Sequence, residues 1–464
     1  MAEQAKLDYD VIIIGAGITG AGLFRDLALH GQKVLLVDKG DFTSQTSQSS
    51  SKMLHGGIRY LENFDFKLVW EALHEKNLWT KIAPHLCYES EFLLPIYKGA
   101  KRPLWMIKIG LFLYDLLSNF SNSPHKILNK SQTLSKIPDL KKENLRGSGL
   151  YYDAIMDDAK ITLECIYDGL LENGCEALNY HEAISFKHFE NYNEVTIRDT
   201  LKDSSKTYKA KEVIFALGPF TDKVLHNLLP IWHDILVPSK GIHIWLKAES
   251  INLHSPLLLQ AQGNRVIFVI PRNNAILVGT TETQVNEEMF DIKAHDDEIE
   301  YLLDQLKDYF PEFSGDKSEV LSSFAGIRPL VKDSDTTDLG KTAREHKVFQ
   351  PFSNTYVIAG GKYTTFRVMG QEITRDILSK SEIKYNCNKT RRPLRVKSTI
   401  ASFPIPTITL EMVLKSIKTE KVRTMDDLIR RRIGINGKNH WPGGSEEFDK
   451  FFSTNKQIIE SEMI

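Results

Sequence analysis

The 464 residues include 59 lysines and arginines against 60 aspartates and glutamates, and 42% are hydrophobic. That is enough chain for two or three domains around a substantial core, and it excludes wholesale disorder. A net charge of -1 gives no global attraction to nucleic acid or bulk anionic surfaces, so recognition by charge is local and nucleic acid is not an expected partner.

The amino terminus is polar and lacks both the basic start and the apolar run of a secretory signal, which points to the cytoplasmic side. Tyr9–Ile14 (YDVIII) reads as a buried strand, residues 15–20 as a tight turn, 21–30 as a helix and 33–37 as a parallel strand closing on Asp38. This is a βαβ unit opening an α/β domain. Residues 43–52, rich in serine and threonine, suit a loop leading to a capped helix. The run Leu104–Leu117 is interrupted by Lys108 and Asp115, so no membrane-spanning helix is expected. It mixes cations and aromatics as an interfacial segment does, and a buried helix between domains is the alternative.

A helix is expected from residue 154, then strands at 183–189, 194–198 and 212–217, the last rejoining the first sheet. Strand-like runs recur between 236 and 281 (GIHIWLKA, RVIFVIP, AILVGTT) and 296–310 reads as a helix, which makes a second, substrate-facing domain. Residues 356–359 form a further strand ending in Gly360 and Gly361, with a helix from Phe366 and another at 424–433. Cys87, Cys165, Cys175 and Cys387 show neither CxxC nor zinc-like spacing, consistent with free thiols in a reducing cytosol and with no metal site.

Gly15-Ala16-Gly17-Ile18-Thr19-Gly20 matches GxGxxG between a strand and a helix. Gly15 permits the sharp turn, Gly17 lets backbone approach a pyrophosphate, and Gly20 lets helix and strand pack closely. Asp38, followed by Lys39, stands where a carboxylate accepts hydrogen bonds from a ribose. The motif alone does not separate NAD from FAD. Two further strand ends with small residues, around Ala216 and Gly218 and around Gly360, Gly361 and Thr364, favour a long cofactor across one domain.

Residues 49–62 (SSSKMLHGGIRYLE) closely resemble the FAD-dependent, quinone-linked glycerol-3-phosphate dehydrogenases, relatives of the glycine and D-amino-acid oxidases. The resemblance returns at APHL (83–86), RPLWMIKIGLFLYD (102–115), DDA (157–159), IFVIP (267–271), GTT (279–281), GIRPL (326–330) and GGKYTT (360–365), and so spans about residues 7–380 in order. It implies FAD, glycerol 3-phosphate, dihydroxyacetone phosphate and a membrane quinone, with peripheral attachment to the cytoplasmic face of the inner membrane. The fold expected is α/β: a Rossmann-like FAD-binding domain (1–80, 151–235 and 345–385), a mixed β-sheet substrate domain (81–150 and 236–344) and a small helical C-terminal cap (386–464). Beyond residue 385 the chain departs from the family, whose cap is larger, and only RTMDDLIRRRIG (423–434) resembles it. That departure leaves homodimerisation, membrane docking and the electron acceptor open.

The chemistry needs cations for a phosphate dianion and a group to take the C2 hydroxyl proton as hydride leaves. Arg59, Arg328, Arg344 and Lys362 stand at positions resembling the family's substrate cations, Tyr60 adds a hydroxyl, and Lys240 belongs to a further resembling motif. His55, before Gly56 and Gly57 where backbone presses on the flavin, is the candidate base, with Arg328 or a bound water as alternatives. Thr46, Ser47 and Ser51 are candidate hydrogen-bond donors to FAD. Three rivals stand beside this reading: an oxidase using oxygen, an amino-acid oxidase, and a flavoprotein without turnover. The cluster of cations argues against the second, and the intact motifs against the third.

Overall fold

The structure is a computed structural model that describes residues 6–261, 265–285, 288–332 and 346–463. Two sheets organise it. In the first, four strands with apolar paired segments lie parallel in the order Thr355–Gly360, Ser204–Phe215, Tyr9–Ile14, Val34–Val37, with Glu176–Leu178 at the edge. Continuous apolar runs of this kind belong in a sheet covered on both faces. Val11, Ile13 and Leu36 indeed pack beneath helix Ile18–Leu29 and its neighbours Asp158–Gly169 and Phe366–Lys380. Ile12, Ile14 and Leu35 face the opposite core, under helix Thr221–Leu228 and the antiparallel strands His181–His188 and Asn193–Asp199.

The second sheet is mixed and built on four long strands, Cys87–Tyr97, Leu145–Met156, Leu236–Lys247 and Val320–Val331. One face packs on helix Asp296–Lys307 and the other on helices Phe66–Ile82 and Leu104–Leu117. Strand Leu145–Met156 and the short strand Met53–Leu54 both belong to this sheet, so the chain passes between sheets inside two segments that the sequence assigned to the flavin side. A third, small core forms beyond residue 400 around Val413, Leu428, Ile433 and Trp441, from helices Leu410–Thr419 and Ser445–Glu462 and the turn Asp427–Ile433.

Several expected elements move. Ala154 lies inside strand Leu145–Met156 instead of starting a helix, because Asp157 caps the helix one turn later by accepting the Lys160 N–H at 3.1 Å. Residues 43–52 hold only the short 3-10 turn Thr46–Gln48, with no capped helix after it. The helix expected at 424–433 is a wide π-helical turn over Asp427–Ile433, whose start is fixed by the Asp427 carboxylate accepting from the backbone of Arg423 and Thr424. Arg344 lies outside the described residues.

Candidate active site

Three parallel strands of the first sheet end at Gly15, near Gly218 and at Gly360, and their carboxyl ends open on one cleft, the place where α/β sheets bind ligands. Backbone crowding dictates the glycines there. Gly15 has φ +107°, and a Cβ on it would stand 2.4 Å from the Ala216 carbonyl oxygen; a Cβ on Gly20 would stand 1.8 Å from the Gly15 carbonyl oxygen. At the start of helix Ile18–Leu29 the Ile18 N–H donates to Ser47 Oγ at 2.9 Å, which leaves that hydroxyl's own proton for an anion. Asp38 accepts from the Ala16 N–H at 2.7 Å and the Gly40 N–H at 2.9 Å, and burial pushes its carboxyl up to about 6.

The cleft is a cavity of about 590 Å³ between the two sheets. Gly15, Gly17, Ile18, Thr19, Asp38 and Lys39 line it from the fingerprint; Thr46, Ser47, Ser51 and His55 line it from the following segment. Ala216, Gly218, Gly360, Gly361 and Thr364 close it from the other two strand ends. Ala16, Gly20, Gly56 and Gly57 are not part of the lining. Gly56 is pressed against helix Leu104–Leu117, where a Cβ would come within 2.5 Å of Tyr114 Oη.

His55, Tyr60, Thr280, Arg328 and Lys362 line the same cavity. Arg328 is aimed by Thr280, whose Oγ1 accepts from Nη2 at 2.7 Å, and by the Thr281 carbonyl at 3.1 Å. The Lys362 ammonium lies over the Tyr60 ring, 3.6 Å from its centroid. The His55 ring is 6.5 Å from that of Phe268. The other expected cations are elsewhere. Lys240 is buried in an ion pair with Glu298 at 2.9 Å, and its carbonyl accepts from Arg328 Nη1 at 3.4 Å. Arg59 is exposed on the turn Ile58–Asn63, outside the cavity lining.

Sequence reasoning missed His243, Thr280 and Lys52. His243 lines the cavity from strand Leu236–Lys247, with Nε2 2.9 Å from Ser51 Oγ and its ring stacked on Phe324 at 5.0 Å. Burial first, then the cations Arg328 and Lys52, push its imidazole down to about 3, so it is neutral. The signal available was its inward position in GIHIWL, which is shared with any core residue of a strand.

A fold of this kind, with a dinucleotide turn and two more strand ends around one long cleft, defines an FAD-dependent oxidoreductase, and the model of the FAD dependent oxidoreductase family matches residues 10–375. An aerobic glycerol-3-phosphate dehydrogenase of Staphylococcus aureus is 34% identical over 394 residues, covering 84% of this chain and 70% of its own. The chain belongs to the FAD-dependent glycerol-3-phosphate dehydrogenases, and FAD is its cofactor. The solved glycerol-3-phosphate dehydrogenase from Bacillus halodurans, complexed with FAD, is 27% identical with a TM-score of 0.68, over 98% of this chain and 79% of that one. L-alpha-glycerophosphate oxidase from Mycoplasma pneumoniae shares the fold at 18% identity and a TM-score of 0.63, over 80% of this chain and 94% of its own.

Proposed function

We propose that this enzyme oxidises sn-glycerol 3-phosphate to dihydroxyacetone phosphate and passes the electrons to a membrane quinone. The observation that carries the reading is that Arg328, Lys362, Tyr60 and His55 all line the one FAD cavity. Bound FAD supplies the hydride acceptor. Arg328, held by Thr280 and the Thr281 carbonyl, and Lys362, held over Tyr60, neutralise the phosphate dianion and fix the C2 carbon's approach. His55 takes the C2 hydroxyl proton. Lys240 is committed to Glu298 and supports the site through Arg328.

The division into a discontinuous flavin domain, a substrate domain and a C-terminal cap belongs to the same reading. So does a cytoplasmic location on the inner membrane. Among the described residues no helix is long and apolar enough to cross a membrane. Attachment is therefore assigned to surface contact, and helix Leu104–Leu117, with Trp105, Ile109 and Phe112 exposed, supports it.

The test is anaerobic addition of glycerol 3-phosphate to the FAD-loaded protein while flavin absorbance is followed. Bleaching within mixing time is expected, and colour returns on adding a soluble quinone. A flavin that stays oxidised overturns the substrate assignment, and recolouring only by oxygen with release of peroxide overturns the acceptor.

A further inference from the structure

All of residues 43–51 except Gln48 line the cavity, yet they form a polar loop with one short turn, Thr46–Gln48. Ordering such a chain costs about 1–2 kcal/mol per residue in backbone entropy, so contacts beyond the loop must fix it. Buried charges do so at both ends. After the loop, the Lys52 ammonium donates to Asp158 Oδ1 at 2.6 Å and to the Gln48 carbonyl at 2.5 Å.

Before the loop, Asp41 accepts from Arg431 Nε at 2.6 Å, from Arg432 Nη2 at 3.0 Å and Nη1, and from Asn179 Nδ2 at 2.8 Å, all of them buried. Arg431 also reaches into the loop. Its Nη1 donates to Gln48 Oε1 at 3.3 Å, and Gln48 Nε2 donates to the Ser44 carbonyl. Ser44 lines the cavity, whereas the Gln48 side chain is bonded to Arg431 and the Ser44 carbonyl and is not part of the lining. The two arginines come from the turn Asp427–Ile433, within the one stretch beyond residue 385 (423–434) that resembles the family's cap. That turn is braced from its other side, since Arg432 Nη2 donates to the Glu420 carbonyl at 2.8 Å and Tyr180 Oη to Asp427 Oδ1 at 2.7 Å.

A buried cluster of two guanidiniums on one carboxylate is a poor route to stability alone, because desolvation offsets its attraction and apolar packing serves as well. What it provides is fixed geometry, since each planar fork sets the carboxylate's direction as well as its distance. We propose that Arg431 and Arg432 are positioning residues for the flavin site: acting through Asp41 and Gln48, they hold loop 43–51 in the conformation that receives FAD. The C-terminal segment is thereby part of the cofactor-retention machinery.

The deciding variant is Gln48→Ala, which cuts the link between arginine and loop without exposing a buried charge; Arg431→Lys keeps the charge and loses the fork. For each, FAD affinity is measured by titrating the apoprotein and following flavin fluorescence, and thermal unfolding is recorded with and without FAD. A positioning role predicts a Kd raised about tenfold for Gln48→Ala, equal to ~1.4 kcal/mol. Arg431→Lys should shift it in the same direction. The apoprotein midpoint should hold while the rise produced by FAD shrinks. An unchanged Kd in both variants overturns the proposal, and so does an equal fall of both midpoints with the FAD-dependent rise intact. Substrate oxidation is not read, so failure here is distinct from failure of the proposed reaction.

Discussion

The ring of Tyr60 lies 3.6 Å beneath the Lys362 ammonium, so the aromatic face, and not only the hydroxyl, engages the cation proposed to bind the substrate phosphate. A cation over an aromatic face is worth about 0.5–2 kcal/mol. Tyr60→Phe should therefore leave KM for glycerol 3-phosphate within about twofold, while Tyr60→Leu should raise it about fivefold or more, the equivalent of ~1 kcal/mol. If phenylalanine does as much damage as leucine, the hydroxyl and not the ring is the working part. At this scale the fingerprint was legible because backbone sterics force glycine at positions 15 and 20 whatever the rest of the chain does. His243 was not legible. Its meaning comes from Ser51, a residue 192 positions away that only the folded second sheet brings within 2.9 Å. The ion pair of Lys240 was illegible for the same reason, its partner Glu298 lying on helix Asp296–Lys307.

Helix Leu104–Leu117 is apolar on both sides, which a surface helix ordinarily is not. Ile107, Leu111 and Tyr114 face the core, and Trp105, Met106, Ile109, Phe112 and Leu116 face out; Phe64, Phe66, Trp70 and Phe120 are exposed nearby, with Lys67, Lys101 and Lys108 among them. Apolar area mixed with cations fits the surface of an anionic bilayer. The inner side of the same helix reaches the site: Tyr114 Oη donates to Asp153 Oδ1 at 2.7 Å, which also accepts from the Gly56 N–H, beside His55. Replacing Trp105 and Phe112 together by serine should lower co-sedimentation with anionic vesicles at least tenfold, since a buried aromatic contributes about 1.5–3 kcal/mol. Anaerobic flavin reduction by glycerol 3-phosphate in solution should not change. Unaltered vesicle binding would remove this face from the membrane. The element's extent was readable as an apolar run, whereas its exposure depended on which neighbours covered it.

Across the whole molecule, polar groups deep inside join segments distant in sequence, and their protonation ties stability to pH. The order of strands in the second sheet was beyond sequence patterning, because alternation marks a strand and not its neighbours; with that order unknown, the surroundings of His243 were unknown too. Those surroundings are the Ser51 hydroxyl, the Phe324 ring and the cations Arg328 and Lys52, and burial among them holds the imidazole down at about 3. An unfolded histidine titrates near 6.5. Between these values the unfolded chain binds the extra proton, so the contribution of His243 to stability is full above pH 6.5 and is lost progressively as pH falls towards 3. Asp38 and Asp153, pushed up to about 6 by burial, run the opposite way, because there the folded state holds the proton. The comparison must therefore be between two proteins that share those carboxylates. In denaturant unfolding of the FAD-loaded protein, the stability difference between wild type and His243→Asn should shrink by about 2–3 kcal/mol from pH 6.5 to pH 4.5. A difference that stays constant across that interval would mean that His243 takes up its proton in the folded enzyme as readily as in the unfolded chain and is not held neutral beside Ser51.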